Sequence, residues 1–377
     1  MKEVYITRIA KFLPNNPVGN DEMEEKLGAI DGKTSKARRI VLRNNRIKTR
    51  YYAIDQNGDV THNNAQLTKE AVELLCDENF TTKDIELLSC GTSSPDQLLP
   101  SHAAMVHGFL KNGNMEINSP SGACCSGMNA LKFGYLSVAT GQKNNAVCTG
   151  SERTSSWMRS DVFENEVDHL KQLEENPILA FEKEFLRWML SDGSGAVLLE
   201  SEPKGNTPLK IEWMEGYSYA FEMETCMYAG GDKLENGHLK PWSEYPSDQW
   251  GKKSLFAMKQ DVKLLSGNIL VKGVHSLKDA MKKHDITTDD FDYYLPHISS
   301  HYFKERLYEE LKEQGVEIPW EKWFLNLENV GNIGAASIYV MIDDLIASGK
   351  LQKGQKILCH VPESARFSYT YAYLTVC

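Results

Sequence analysis

The chain has 377 residues, 41% of them hydrophobic, and a formal charge of −10. That length supports one large core or two medium ones, and the acidic balance argues against general nucleic-acid binding. No apolar run approaches the roughly 20 residues that span a bilayer, and Met1 opens no secretory leader. Eight cysteines (Cys76, Cys90, Cys124, Cys125, Cys148, Cys226, Cys359 and Cys377) are scattered without zinc-ligand spacing. A reduced, cytoplasmic protein without a membrane segment or a metal site is expected.

The first notable segment is a basic island. From Gly32 to Arg50 stand eight basic residues (Lys33, Lys36, Arg38, Arg39, Arg43, Arg46, Lys48 and Arg50) and no acid, leaving −18 on the rest of the chain. Such an island attracts a phosphate-bearing ligand or an acidic partner, or is a solvated helix face.

An amphipathic stretch at Ala71 to Leu75 leads into Thr81-Thr-Lys-Asp-Ile-Glu-Leu-Leu-Ser-Cys90, which ends as a short apolar strand. Next comes Ser121-Gly-Ala-Cys-Cys-Ser-Gly-Met128. Met128, Leu131, Tyr135 and Val138 follow at helical spacing, so Cys125 is placed in the first turn of a helix. Free amide N–H groups at a helix start favour a thiolate, lowering a cysteine pKa to roughly 3.5–7.5. Two readings fit: a nucleophile with room for substrate among small neighbours, or a small buried thiol packing a helix end. The strand Asn145 to Thr149 follows, and the Ser151-Glu-Arg153 turn sets the Glu152 carboxylate at its end.

Charged and turn-forming residues from Ser201 to Thr207 mark a seam, giving halves 1–203 and 204–377. Beyond it the pattern recurs. Thr287-Thr-Asp-Asp-Phe-Asp-Tyr-Tyr-Leu-Pro296 echoes the segment from Thr81 at an offset of 206, after an amphipathic Val274 to Met281. Gly331-Asn-Ile-Gly334, its helix to Gly349 and the strand Gln355 to Cys359 echo the cysteine helix and its strand; Gly349 follows Gly141 by 208. Strands alternating with helices in two related halves predict an α/β fold of helix-covered sheets. Insertions confined to one half, Asp161 to Arg187 and Met214 to Trp250, are expected to cap a site.

The offset also pairs functional candidates. Adding 206 to Gly91 gives His297, at the carboxyl end of a strand, where α/β sheets place ligands. Adding 206 to Cys125 gives Gly331, beside Asn332 in a glycine turn. Singly, a histidine is structural and an asparagine caps a helix. Together with the thiol they form a nucleophile with two donors for an oxyanion or enolate.

In these residues the chain resembles the type III ketoacyl synthases of the thiolase superfamily. The resemblance rests on Ala123-Cys-Cys-Ser-Gly127, Leu190-Ser-Asp-Gly-Ser-Gly-Ala-Val-Leu198, Leu295-Pro-His297 and Gly331-Asn332, and it covers nearly the full length. It implies a five-layered α-β-α-β-α fold and a homodimer. It also implies an acyl thioester on Cys125, with His297 and Asn332 holding a thioester carbonyl and Cys124 structural. Arg43, Arg46, Lys48 and Arg50 would meet pantetheine-bearing substrates, carried on coenzyme A or acyl carrier protein, with no further cofactor. Ser300 stands where the fatty-acid branch has a second asparagine. Val361-Pro-Glu-Ser-Ala-Arg-Phe-Ser368 replaces its glycine-rich loop, adding Glu363 and Arg366 as an acid–base pair or a stiffening salt bridge, with Glu152 as another base or a brace.

These departures, with Phe12-Leu-Pro-Asn-Asn-Pro17 and Asn45-Arg-Ile-Lys-Thr-Arg-Tyr-Tyr52, resemble the bacterial ketosynthases that form cyclohexanediones on the way to dialkylresorcinols. That branch implies joining a β-ketoacyl thioester to an α,β-unsaturated one. Alternatives are a decarboxylative synthase of fatty-acid or polyketide initiation, and a catalytically silent subunit that binds carrier protein.

Overall fold

The computed structural model describes residues 1–29, 35, 38–160 and 186–377; the expected cap segment 161–185, and Lys33 and Lys36 of the basic island, lie outside them. Nine strands pair into one mixed sheet: β1 (Tyr5–Phe12), β2 (Leu87–Thr92), β3 (Glu116–Asn118), β4 (Asn145–Glu152), β5 (Gly193–Glu200), β6 (Leu209–Ser218), β7 (Tyr293–Pro296), β8 (Lys356–Glu363) and β9 (Ser368–Val376). Their order is β7-β8-β9-β6-β1-β5-β4-β2-β3. In the first arm β3, β2 and β4 run parallel, and β5 and β1 follow antiparallel. The second arm repeats this scheme. Trp323 bridges β7 in parallel, as β3 does β2, then β8 runs parallel and β9 and β6 antiparallel. The arms join where β1 meets β6, through Tyr5 opposite Lys210 and Ile6 opposite Leu209.

The local chemistry repeats too. Ahead of β2, Asp84 accepts both the backbone N–H and the hydroxyl of Thr81; ahead of β7, Asp290 does the same for Thr287. These reciprocal caps close a short helical turn and aim the chain into its strand. The duplication is therefore carried by identical turn chemistry as well as by spacing.

The principal helices are α1 (Arg38–Asn45), α2 (Asn64–Glu73), α3 (His102–Leu110), α4 (Cys125–Ala139), α5 (Val262–Lys283), α6 (Tyr302–Glu313) and α7 (Ser337–Ala347). Ten of the fifteen residues of α4 and seven of the eleven of α7 are buried, so these two form the inner layer. Helix α4 packs on β2 and β4 of its own arm and on β8 and β9 of the other. Helices α2 and α3 cover the outer face of the first arm; α5, with α6 against it, covers that of the second. The result is the expected α-β-α-β-α layering. One boundary is corrected: Met214 to Ser218 complete the inner strand β6, paired with β9, so the covering insertion starts at Tyr219.

The heads of the inner helices meet backbone to backbone. A Cβ on Gly127 would lie 2.2 Å from the Ala335 carbonyl oxygen, and one on Gly150 2.1 Å from the same atom. Replacing Gly127 by Ala is expected to cost about 1–3 kcal/mol, as overpacking does. Gly108→Ala on α3, whose Cβ meets nothing within 4 Å, is expected to be neutral or stabilising. Thermal and urea denaturation of the two variants check the contrast.

Candidate active site

The sequence around Cys125 produces a helix start whose free amides find an unexpected partner. The N–H groups of Ala123 and Cys125 both donate to Glu363 Oε2, at 2.9 and 3.0 Å. Glu363 reaches them because β8 turns into β9 through four residues, Phe367 taking a left-handed φ of 55°. The Cys125 thiol donates to the Val361 carbonyl at 3.3 Å and receives the Thr370 hydroxyl at 3.5 Å. Burial, and then the Glu363 charge, push its pKa well above the ordinary thiol value. The expected thiolate at the helix start is therefore overturned in this state: a carboxylate holds the amides, and the sulfur is out of water.

A cleft of about 940 Å³, open solvent at its mouth included, runs past this point. Its polar end carries Cys124, Ser93, Glu152, His297, Asn332 and His360. Cys124 was expected to be structural; it is the thiol in the wall, whereas Cys125 is 2% exposed. The first turn of α4 directs the Cys125 sulfur to Val361 of β8 and Thr370 of β9, while Cys124 just before it lines the cleft. The rest of the cleft is mostly apolar, with Met227, Met258, Leu265, Ile269, Phe303 and Leu307 along it and Gln260 and Ser364 among them.

Glu152 is fully buried at the end of β4. Oε1 accepts the N–H groups of Ser93 (3.1 Å) and Ala335 (3.2 Å), and Oε2 accepts the hydroxyls of Ser93 (2.7 Å) and Ser94 (2.6 Å). It braces the loop after β2 against the turn that carries Asn332. Burial outweighs these donors and raises its pKa to about 6.

His297 continues β7: its N–H donates to the His360 carbonyl at 2.8 Å. Desolvation holds the His297 imidazole down to about 4, so it is neutral near pH 7 and has one N–H to donate. Asn332 is fixed through its backbone, donating to Met189 and accepting from Ser191, each at 2.9 Å. Its Oδ1 accepts the Gly334 N–H at 2.9 Å, which leaves the Nδ2 amide as the available donor. His360, absent from the sequence-derived set, shares a 2.6 Å hydrogen bond between Nδ1 and the Tyr294 hydroxyl. A lone histidine inside an apolar strand gives no sequence signal beyond core.

Several expected site residues lie elsewhere. Ser300 is buried; its hydroxyl caps the Tyr302 N–H at the start of α6, and the neighbouring Ser299 lines the cleft instead. Arg366 is exposed and donates to the Met223 carbonyl. No Glu363–Arg366 ion pair forms among the described residues, so neither the acid–base pair nor the stiffening bridge exists. Arg50 is removed from the ligand set. It is fully buried, with Nε and Nη2 on the Trp188 carbonyl and Nη1 on Asn20. Arg43, Arg46 and Lys48 are exposed, Arg46 3.9 Å from Glu305 and Lys48 2.7 Å from Glu328. Among the described residues no cluster of His, Cys, Asp and Glu is arranged to hold a metal ion. No helix there is long and apolar enough to cross a membrane.

Glu152 also sets a pH dependence. Its folded pKa, about 6, exceeds the roughly 4.3 of an unfolded glutamate, so the folded state binds more protons in between and stability falls as pH rises through that window. The loss from Glu152 is expected to be about 2 kcal/mol between pH 4.5 and 7. Urea unfolding of the wild type and Glu152→Gln across this range should show the difference only in the wild type.

Comparison with known proteins fits this architecture. Residues 281–361 match the family described as 3-oxoacyl-[acyl-carrier-protein] synthase III, C terminal. The β-ketoacyl-[acyl-carrier-protein] synthase III of Chlorobaculum tepidum is 24% identical, over 94% of this chain and 93% of the relative. That of Lactobacillus helveticus is also 24% identical, over 93% and 92%. Among solved structures, AbyA1, a tetronic acid condensing enzyme, superposes with TM-score 0.74 at 18% identity, covering 99% of both chains. A single-residue variant of OleA from Xanthomonas campestris gives 0.73 at 18%, over 99% of this chain and 98% of the other. The fold is thus shared end to end with these synthases and condensing enzymes, and the stretch from 281 to 361 carries the synthase III C-terminal family match.

Proposed function

We propose that this enzyme carries an acyl group on Cys125 and joins a β-ketoacyl thioester to an α,β-unsaturated acyl thioester, giving a cyclohexanedione precursor of dialkylresorcinols. One observation supports the reading: Ala123 and Cys124 at the head of the cysteine helix, the neutral His297 and Asn332 all line one largely apolar cleft. Imidazole and amide donors suit a thioester enolate oxygen. A β-ketoacyl group has an acidic C2, so its enolate forms without loss of carbon dioxide. The largely apolar walls suit acyl chains, and among the described residues the cleft lining contains neither lysine nor arginine.

The phosphates of a pantetheine carrier would then stay outside, near exposed Arg43 and Arg46, whether on coenzyme A or on carrier protein. Strand β3 ends the sheet with Ile117 exposed, and Leu98 and Leu99 are exposed at 71% and 85%. An open edge and exposed apolar side chains support a homodimer, working in the reducing cytoplasm that the scattered cysteines suit. The curated relatives named synthase III keep the decarboxylative reading as the alternative.

Intact-protein mass spectrometry with an acyl thioester should show one acyl adduct, lost in Cys125→Ala and kept in Cys124→Ala. His297→Ala and Asn332→Ala are expected to keep the adduct and lower condensation by about 10²–10³-fold. The β-ketoacyl and 2-enoyl pair should yield a cyclised product. Its absence from active protein, with carbon dioxide released from a malonyl carrier, would give the function to the decarboxylative alternative. Arg43→Glu with Arg46→Glu should raise KM for the carrier-bound substrate about tenfold at low salt, with kcat unchanged and the effect fading at high salt. An unchanged KM would remove these residues from substrate binding.

A further inference from the structure

The carboxylate on the amides of Ala123 and Cys125 needs a reason. Burying a carboxylate is costly unless a cation or hydrogen bonds compensate, and no ion pair with Glu363 forms among the described residues. Arg366, three residues on, turns to the Met223 carbonyl. Both backbone donors converge on one oxygen, Oε2. Amide pairs at the head of a 15-residue helix select a negatively charged oxygen, and the tetrahedral oxyanion of an acylating cysteine is one. The amide that Glu363 accepts from belongs to the residue bearing the thiol, so carboxylate and sulfur lie within one side chain of each other. Pro362 and Ser364, on either side of Glu363, both line the cleft, so a carboxylate leaving the amides stays beside the reacting atoms.

We infer that Glu363 is a catalytic residue: it occupies the Ala123/Cys125 amide pair in the resting enzyme, yields that pair to the substrate thioester oxygen, and takes the proton of Cys125 as the thiol attacks. The assignment rests on the acyl-Cys125 reading above. In the step, the S–H bond breaks and its proton passes to the Glu363 carboxylate. The sulfur pair bonds to the thioester carbonyl carbon, and the C=O π pair moves onto oxygen, which accepts the two N–H groups. On collapse the C–S bond to the carrier breaks, and the departing thiolate takes the proton back from Glu363. Acyl group and proton are conserved, and no further reactant enters. In the resting state the same carboxylate opposes ionisation of Cys125, in keeping with the thiol held protonated against the Val361 carbonyl.

The test compares wild type, Glu363→Gln, Glu363→Ala and Glu363→Asp, each first checked for folding by melting temperature. Two rates are read on Cys125 by peptide mass spectrometry: alkylation by iodoacetamide and acylation by octanoyl-coenzyme A. Loss of the charge should leave alkylation in the Gln and Ala variants equal to or faster than wild type. Acylation should fall about 10²-fold or more, the scale of a lost general base, and Asp should recover part of it. A merely structural Glu363 would lower both rates together, and that result, like wild-type acylation in the Gln and Ala variants, overturns the proposal. Wild-type protein that acylates on Cys125 but forms no condensation product would remove the condensing reading and leave Glu363 in place. Wild-type protein that takes no acyl group removes both.

Discussion

The backbone of a single residue, Ala335, ties the two arms of this protein together through both of its polar groups. Its carbonyl oxygen lies against Gly127 of the cysteine helix and Gly150 of β4, at distances that exclude any side chain there. Its N–H donates to Glu152. One residue from the second half is thus held at both its carbonyl and its N–H by the first. Asn332 stands three residues before it and is anchored separately to Met189 and Ser191. The position of the amide relative to the thiol follows from backbone packing more than from any contact between the two side chains. A close-packed interior transmits such a constraint without slack.

Much of this was legible in advance because it is local or periodic. The segments from Thr81 and Thr287, the strands they lead into and the glycine turns recur at offsets of 206 to 208, and each uses chemistry confined to a few neighbouring residues. His297 was found through that offset, since a strand end in one half marks a strand end in the other. What escaped was set by long-range partners. Glu363 was placed at the site by its loop, but its hold on the Cys125 amide spans 238 residues, and no motif states which side chain will cover a helix start. The same holds for Arg50, which belongs to a basic run by sequence but serves the Trp188 carbonyl in the fold. His360 was missed because alternation along β8 predicts burial, while the Tyr294 hydroxyl that receives it comes from a parallel neighbour.

The polar end of the cleft has a consistent electrical character. Two carboxylates, Glu152 and Glu363, are held by backbone or hydroxyl donors rather than by cations. Burial disfavours charge on every titratable group there: it raises both glutamates and the thiols and lowers His297 and His360. Protons at such a site pass between groups that all resist ionisation, and fixed donors count for more than in water. The described cleft lining carries no cation, and Arg43, Arg46 and Lys48 keep theirs at the surface, where it is screened and exchangeable.

The junction of β1 with β6 has a wider meaning. Each arm, taken alone, would end in a long strand with unpaired backbone groups, the kind of margin on which chains aggregate. Pairing β1 with β6 turns those two liabilities toward each other, so that each arm is the other's protective border. Fragments cut at the seam would regain raw edges and lose the partner peptide that wedges between Gly127 and Gly150.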